Sequence, residues 1–228
     1  MFLNHLINKL HESIYHHETA LNYLHGRKVT DEEINTFKIG YSRIIATVDD
    51  GSEDYQCFLK ETRRGKALES KLIFPLYDMI GNPSGVLGRS IDTKEFKFYL
   101  TLEGKFSGAF FGLYQALPAI YETGMAFVVE GPFDFLAFRK VYPNSVATLT
   151  AELTEAQYSI LNMFAKHIIT VFDSDVAGRK AAERALQWPN VKSACLGWKD
   201  PDSGLKYLEF EEYKKYVLKR MSPVTCFL

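Results

Sequence analysis

Cysteine is scarce in this sequence: Cys57, Cys195 and Cys226 lie far apart and form no CxxC pair. An odd, scattered set argues against a zinc finger or a disulfide framework and fits a reducing compartment. An excess of one charge is missing too. The 27 Lys and Arg residues face 28 Asp and Glu, for a net charge of −1. That balance argues against a protein that coats nucleic acid by charge alone, although a local basic stripe is compatible with it. No apolar run approaches the roughly 18 residues of a membrane span, and the first ten residues lack the small-residue cleavage site of a signal peptide. The expectation is a cytoplasmic chain with no membrane partner. Internal repeats and low-complexity segments are likewise absent. What is present is an ordinary globular composition, 46% apolar and 24% charged, enriched with 17 Phe, 13 Tyr and 2 Trp. The 228 residues can bury a sizeable core as one large domain or two small ones.

Apolar residues at three- and four-residue spacing, Leu3, Leu6, Ile7, Leu10, Ile14 and Leu21, predict one helix over residues 2–24. Thr30 and Glu33 form a capping-box pair that starts a short helix at Asp31. Five histidines (His5, His11, His16, His17, His25) cluster here. Lacking supporting Cys or carboxylate ligands, they read as a solvated helix face rather than a metal site. Residues 71–77 and 86–91 read as a hairpin-like strand pair, with Pro75 suggesting an edge position or a bend. Residues 94–101 are a candidate third strand and 110–120 a helix. From residue 125 onward short apolar strands (125–129, 145–149, 167–172, 191–196) alternate with helices (133–141, 154–164, 177–187). This pattern predicts a parallel sheet covered on both faces. The boundary between the two regions is expected near residue 120.

Two acidic motifs follow apolar strands directly: Glu130-Gly131-Pro132-Phe133-Asp134 after residues 125–129, and Asp173-Ser174-Asp175-Val176-Ala177-Gly178 after residues 167–172. In an open parallel sheet the crevice beyond the carboxyl ends of the strands is where ligands bind. If the two strands are neighbours, Glu130, Asp173 and Asp175 converge, and their mutual repulsion is relieved by a hard divalent cation such as Mg²⁺. The chemistry expected of such a site is metal-assisted phosphoryl or nucleotidyl transfer. Asp175 by itself is equally well a helix N-cap. A third acidic element, Asp200-Pro201-Asp202, reads by itself as a turn and with the other two as a candidate ligand pair for a second metal.

Taken together, Glu130-Gly131-x-x-Asp134, Asp173-x-Asp175-x-Ala177-Gly178 and Asp200-Pro201-Asp202 resemble the Toprim signature of bacterial and phage DnaG-type primases. The upstream half is similar as well, in ALNYLHGRKVTDEEINTFKIGYS (20–42), KLIFPLYDMIGNPSGVLGRSI (71–91), KFYL (97–100) and FFGLYQA (110–116). The segment VATLTAELTEAQYSIL (146–161) matches the stretch between the acidic motifs. The resemblance implies an α+β N-terminal subdomain over 1–120. After it come an α/β Toprim domain with a mainly parallel sheet flanked by helices over 121–205 and a short helical tail over 206–228. It also implies DNA-templated synthesis of short RNA primers on single-stranded DNA from ribonucleoside triphosphates, with Mg²⁺ or Mn²⁺.

Carried over residue by residue, the resemblance makes Glu130, Asp173 and Asp175 catalytic metal ligands. Asp134 becomes a supporting residue, and Asp200 and Asp202 ligands of a second metal. Arg89 and Lys97 become candidate grips on template or triphosphate. Arg63, Arg64 and Lys66 add a basic loop that is otherwise simply solvated. The sequence departs from the family in having no Cys/His zinc module and no helicase-binding region, and KFYLT and LGR stand where the family has KYLN and Gly-Gly-Arg. No zinc is therefore expected in this chain, and a replicative helicase or a separate zinc-binding primase subunit is a candidate partner. Two other functions fit the acidic motifs: a Toprim-type metal-dependent nuclease, and a non-catalytic primase-like module that binds DNA or replication partners.

Overall fold

The structure, a computed structural model, describes residues 2–42, 68–91, 98–101 and 108–225. The chain divides into two compact units, one of residues 1–76 and 82–106 and the other of residues 77–81 and 107–228. The helix after residue 112 belongs with the second unit because its apolar face (Leu113, Ala116, Ile120) packs into that unit's core with Ala126, Val128 and Val146. None of the described helices is long and apolar enough to cross a membrane.

In the first unit, α1 (Phe2–Ile14), α2 (Glu18–Gly26) and α3 (Asp31–Thr36) precede a four-stranded sheet. Its strands are β1 (Gly40–Ser42), β2 (Lys71–Tyr77), β3 (Pro83–Ser90) and β4 (Phe98–Thr101), in the order β1-β2-β3-β4. The single helix expected over 2–24 is broken in two at Tyr15–His17. The register of burial explains the break. Leu3, Leu6, Ile7, Leu10 and Ile14 are buried along one stripe, and the next fully buried residues are Ala20 and Leu24. On a continuous helix Ala20 would lie about 100° off that stripe, so the chain turns to bring it back. α3 starts as expected, with Thr30 Oγ1 accepting from the Glu33 amide at 3.2 Å and Glu33 Oε2 accepting from the Thr30 amide at 2.9 Å.

The histidines are not uniformly solvated. His11 is only 7% exposed. Its Nδ1 donates to the Ile39 carbonyl at 2.8 Å, and its Nε2 lies 3.1 Å from Asn35 Oδ1, so it ties α1 to the segment entering β1. Strand β2 is interior in the sheet order rather than at an edge. Pro75 lies beyond the ladder with β1, which spans Lys71 to Ile73, so on that side its missing N–H breaks no described pairing. The expected third strand is seen as Phe98–Thr101, paired antiparallel with β3. Its first residues, including Lys97, lie outside the described residues.

The second unit contains α4 (Leu113–Thr123), β5 (Met125–Val129), α5 (Pro132–Phe138), β6 (Ser145–Ala147), α6 (Glu155–Asn162), β7 (His167–Thr170), α7 (Val176–Ala185), β8 (Val191–Ser193), α8 (Pro201–Tyr207) and α9 (Phe210–Thr225). The four strands form a sheet in the order β6-β5-β7-β8, every pair parallel. Ala126 to Val129, Val146, Ala147, Ile168 and Ile169 are buried completely, as a sheet covered on both faces requires. α4 begins later than expected because Phe111 is taken by a bridge to Ala147, with N–O distances of 3.0 Å in both directions. Gly112 then turns the chain with φ +85°.

Close approach of backbone explains one glycine in the first unit. A Cβ on Gly40 would lie 2.5 Å from the Leu10 carbonyl carbon and oxygen, so α1 rests directly on the β1 backbone. Gly40→Ala is expected to destabilise this unit by about 2–3 kcal/mol, seen as a lower denaturant midpoint at unchanged slope.

Candidate metal centre

β5 and β7 are adjacent and parallel, with Val128 opposite Thr170. Their carboxyl ends therefore deliver the first two acidic motifs to the same rim of the sheet. The Asp173 amide donates to Glu130 Oε1 at 3.0 Å, which joins the two turns directly. The third motif arrives through the loop after β8. The Ser174 amide donates to the Lys199 carbonyl at 2.8 Å, and the Asp202 amide donates to Asp134 Oδ1 at 3.3 Å. The result is a cluster in which Asp134, Asp173 and Asp200 each bring a carboxylate oxygen within 4.8 Å of the other two.

Each residue is held by local backbone chemistry. Asp134 lies in the first turn of α5, where its Oδ2 accepts from the Gly131 amide at 3.0 Å. Asp200 caps α8, accepting from the Ser203 amide at 2.7 Å. Asp175 caps α7, accepting from the Gly178 amide at 2.8 Å, and is exposed. A Cβ on Gly178 would fall 2.1 Å from the Asp173 carbonyl oxygen, so only glycine lets α7 start this close to the Asp173 turn. Leu149, whose amide donates to the Glu130 carbonyl at 2.8 Å, is a buried non-glycine residue at φ +66°. A left-handed leucine is strained, and here it fixes the backbone beside Glu130.

The electrostatics carry the chemical information. Burial, followed by the neighbouring carboxylates of Asp134, Glu130, Asp200 and Asp175, pushes the Asp173 carboxyl up from its ordinary 3.8 to about 8. Its Oδ1 is buried without a hydrogen-bond partner. Part-buried anions with an orphaned oxygen among them are a poor arrangement in water alone. The donor set is all carboxylate oxygen, which suits a hard cation of the Mg²⁺ or Mn²⁺ type and not a soft one. Ligand oxygens around such an ion lie up to about 4.2 Å apart, so small side-chain movements would close the cluster on it. The acidic triad fits a metal.

The residues named from sequence are thus placed as follows. Asp173, Asp200 and Asp134 come together; Asp134, expected only to support the first turn, is itself one of the three. Glu130 contacts the Asp173 backbone beside them. Asp202 is tied to Asp134 through its amide, and Asp175 is used as a helix cap. Arg89 is part-exposed near the end of β3, in the first unit. Arg63, Arg64 and Lys97 lie outside the described residues. Sequence reading missed the closeness of Asp134 to Asp200. The available signal was that Asp134 occupies the first turn of a helix beginning at the same rim.

The raised Asp173 carboxyl has a definite pH signature. Between about pH 4 and pH 8 the folded protein keeps a proton that the unfolded chain has lost, so stability falls as pH rises through this window. In thermal melts of the metal-free protein, the transition is expected to drop from about pH 5 to about pH 8. Asp173→Asn should flatten that slope and melt about 4–8 °C higher than the wild type at the alkaline end, solvent screening having reduced the full linkage. Added Mn²⁺ should stabilise the wild type and leave Asp173→Asn unchanged.

Residues 127–203 match a family model described as Toprim-like. The DNA primase of Aquifex aeolicus is 29% identical over 232 residues, covering 90% of this chain and 46% of the relative. A crystal structure of the zinc-binding and RNA polymerase domains of Aquifex aeolicus primase superposes with a TM-score of 0.81 at 26% identity, covering 96% of this chain and 60% of that one. A DnaG primase catalytic domain bound to single-stranded DNA shares the fold with a TM-score of 0.71 at 23% identity, over 89% of this chain and 71% of that one. The chain spans about half or less of the length of the curated DNA primases it matches. With a Toprim match over its parallel sheet, and with DNA primase relatives and a DnaG-type fold along nine-tenths of its length, this chain has the sequence and architecture of a DnaG-type primase RNA polymerase core.

Proposed function

We propose that the chain is a primase catalytic core that makes short RNA primers on single-stranded DNA from ribonucleoside triphosphates in a metal-dependent, DNA-templated reaction. The observation that carries this reading is the Asp134–Asp173–Asp200 cluster at the carboxyl rim of the Toprim-like sheet, within a fold that matches primase catalytic cores over nearly the whole chain. Mg²⁺ or Mn²⁺ held there would supply charge neutralisation at the attacking 3′-oxygen and at the leaving pyrophosphate.

In this reading Asp173, Asp134 and Asp200 hold the cation, with Glu130 and Asp175 completing the first acidic set and Asp202 contributing on the Asp200 side. Glu130 has a second task, because its contact with the Asp173 amide keeps the two turns in register. Part-burial of Asp173 limits water around the anions and strengthens their grip on a cation. Arg89, and Lys97, Arg63 and Arg64, are proposed to engage template or triphosphate phosphates. The single-stranded DNA in the related catalytic-domain structure supports DNA as the template partner. A zinc-binding module and a replicative helicase are the protein partners this reading adds, the former supported by the domain pairing in the Aquifex structure.

The reading is tested with labelled ribonucleotides, single-stranded DNA and Mg²⁺ or Mn²⁺. Short RNA should appear only when template and metal are both present, and Asp173→Ala should lower its yield at least about 100-fold. Nicking of plasmid DNA without nucleotides, lost in the same variant, would instead establish the nuclease. Template binding should weaken steeply with salt, as phosphate contacts do.

A further inference from the structure

Beside the short helix that carries Asp200 lies a feature that the acidic motifs do not account for. Tyr213 on α9 is completely buried, and its hydroxyl has no hydrogen-bond partner. A buried hydroxyl without a partner is costly, and in native proteins an ordered water commonly satisfies it. The ring packs against α8 at Gly204, where a Cβ would lie 3.2 Å from Tyr213 Cε2 and 3.3 Å from Trp198 Cδ1. The Trp198 indole Nε1 is a second buried donor with no partner at the same place. Gly204 is one helical turn beyond Asp200, its amide 3.4 Å from the Asp200 carbonyl. Two unsatisfied polar groups therefore back onto the short helix that carries Asp200 and whose first turn is tied to Asp134.

We propose that Tyr213 is a positioning residue of the metal centre: its hydroxyl donates, through one ordered water, to the Asp134–Asp202 side of the carboxylate cluster and holds it in the arrangement that accepts a divalent cation. The direction of the interaction follows from charge. Burial and then the nearby carboxylates of Asp134, Asp202 and Asp200 raise the Tyr213 phenol well above its ordinary range, so it keeps its proton and acts as a donor. Phenylalanine would fill the same space without that donor, so packing alone does not call for tyrosine. The proposal deepens the metal-site reading above and rests on it.

The test uses the full chain with Mn²⁺ alone as the probe, its binding followed by the electron paramagnetic resonance of the free ion. Wild type, Tyr213→Phe and Asp173→Asn are compared, with circular dichroism and melting of each metal-free protein as the check on folding. The expected result is tight binding by the wild type, none by Asp173→Asn, and about tenfold weaker binding by Tyr213→Phe at unchanged metal-free melting, as for loss of an outer hydrogen bond to a metal ligand. Equal affinity of wild type and Tyr213→Phe overturns the role of Tyr213 and leaves the metal site standing. No binding by the wild type overturns both. A high-resolution crystal structure of the wild type is the second measurement, independent of how the variant folds. It should show a water within hydrogen-bonding distance of the Tyr213 hydroxyl and of an Asp134 or Asp202 carboxylate oxygen, and a dry hydroxyl overturns the proposal.

Discussion

Repulsion among carboxylates is the constraint around which the second unit is organised. Asp134, Asp173 and Asp200 come from three separate stretches of chain, and bringing their oxygens within 4.8 Å of each other costs free energy in the absence of a cation. The fold meets that cost with interactions that have nothing to do with charge. β5 and β7 pair along four residue positions, the three nearest the acidic turns with side chains sealed from solvent, and this pairing holds the two acidic turns side by side. With the backbone of the two turns held in this way, a hard cation would relieve the repulsion with only small side-chain movements.

The supporting contacts are mostly backbone to side chain. Amides of Gly131, Gly178, Ser203, Asp173 and Asp202 each donate to a carboxylate of the set. A carboxylate that accepts such bonds is oriented without being neutralised, and Asp134 is held at both oxygens, Oδ2 by the Gly131 amide and Oδ1 by the Asp202 amide. Asp173 is the exception, since its Oδ1 has no donor and its carboxyl is the one pushed upward. The same economy appears in the helix starts. α5, α7 and α8 all begin at this rim, and the positive ends of their dipoles add a favourable field for anions there.

Much of this was legible in the chain. Apolar segments of five and six residues running into Glu130 and Asp173, with Gly131 and Gly178 in the motifs that follow, identify strand–turn–helix units by period and composition. The capping pair Thr30/Glu33 marks a helix start by local hydrogen bonding that involves no distant partner. Where reading failed, a distant contact had decided the matter. The helix expected through residue 24 breaks because Ala20 must reach a core whose position the local period does not encode. His11 is buried because α1 lies against the Ile39 carbonyl. Residues 110–112 stay out of α4 because Phe111 bridges to Ala147, more than thirty residues away.

Local sequence determined which segments are strands and helices, and that acidic groups sit at strand ends, because periodicity, capping and turn chemistry act over a few residues. Only the tertiary structure decided which carboxylates meet. Strand order set β5 beside β7, the docking of α8 on α5 drew Asp200 and Asp134 together, and the packing of α9 placed a buried tyrosine behind them. Those choices depend on side chains far apart in sequence filling a common core, and no local pattern specifies that.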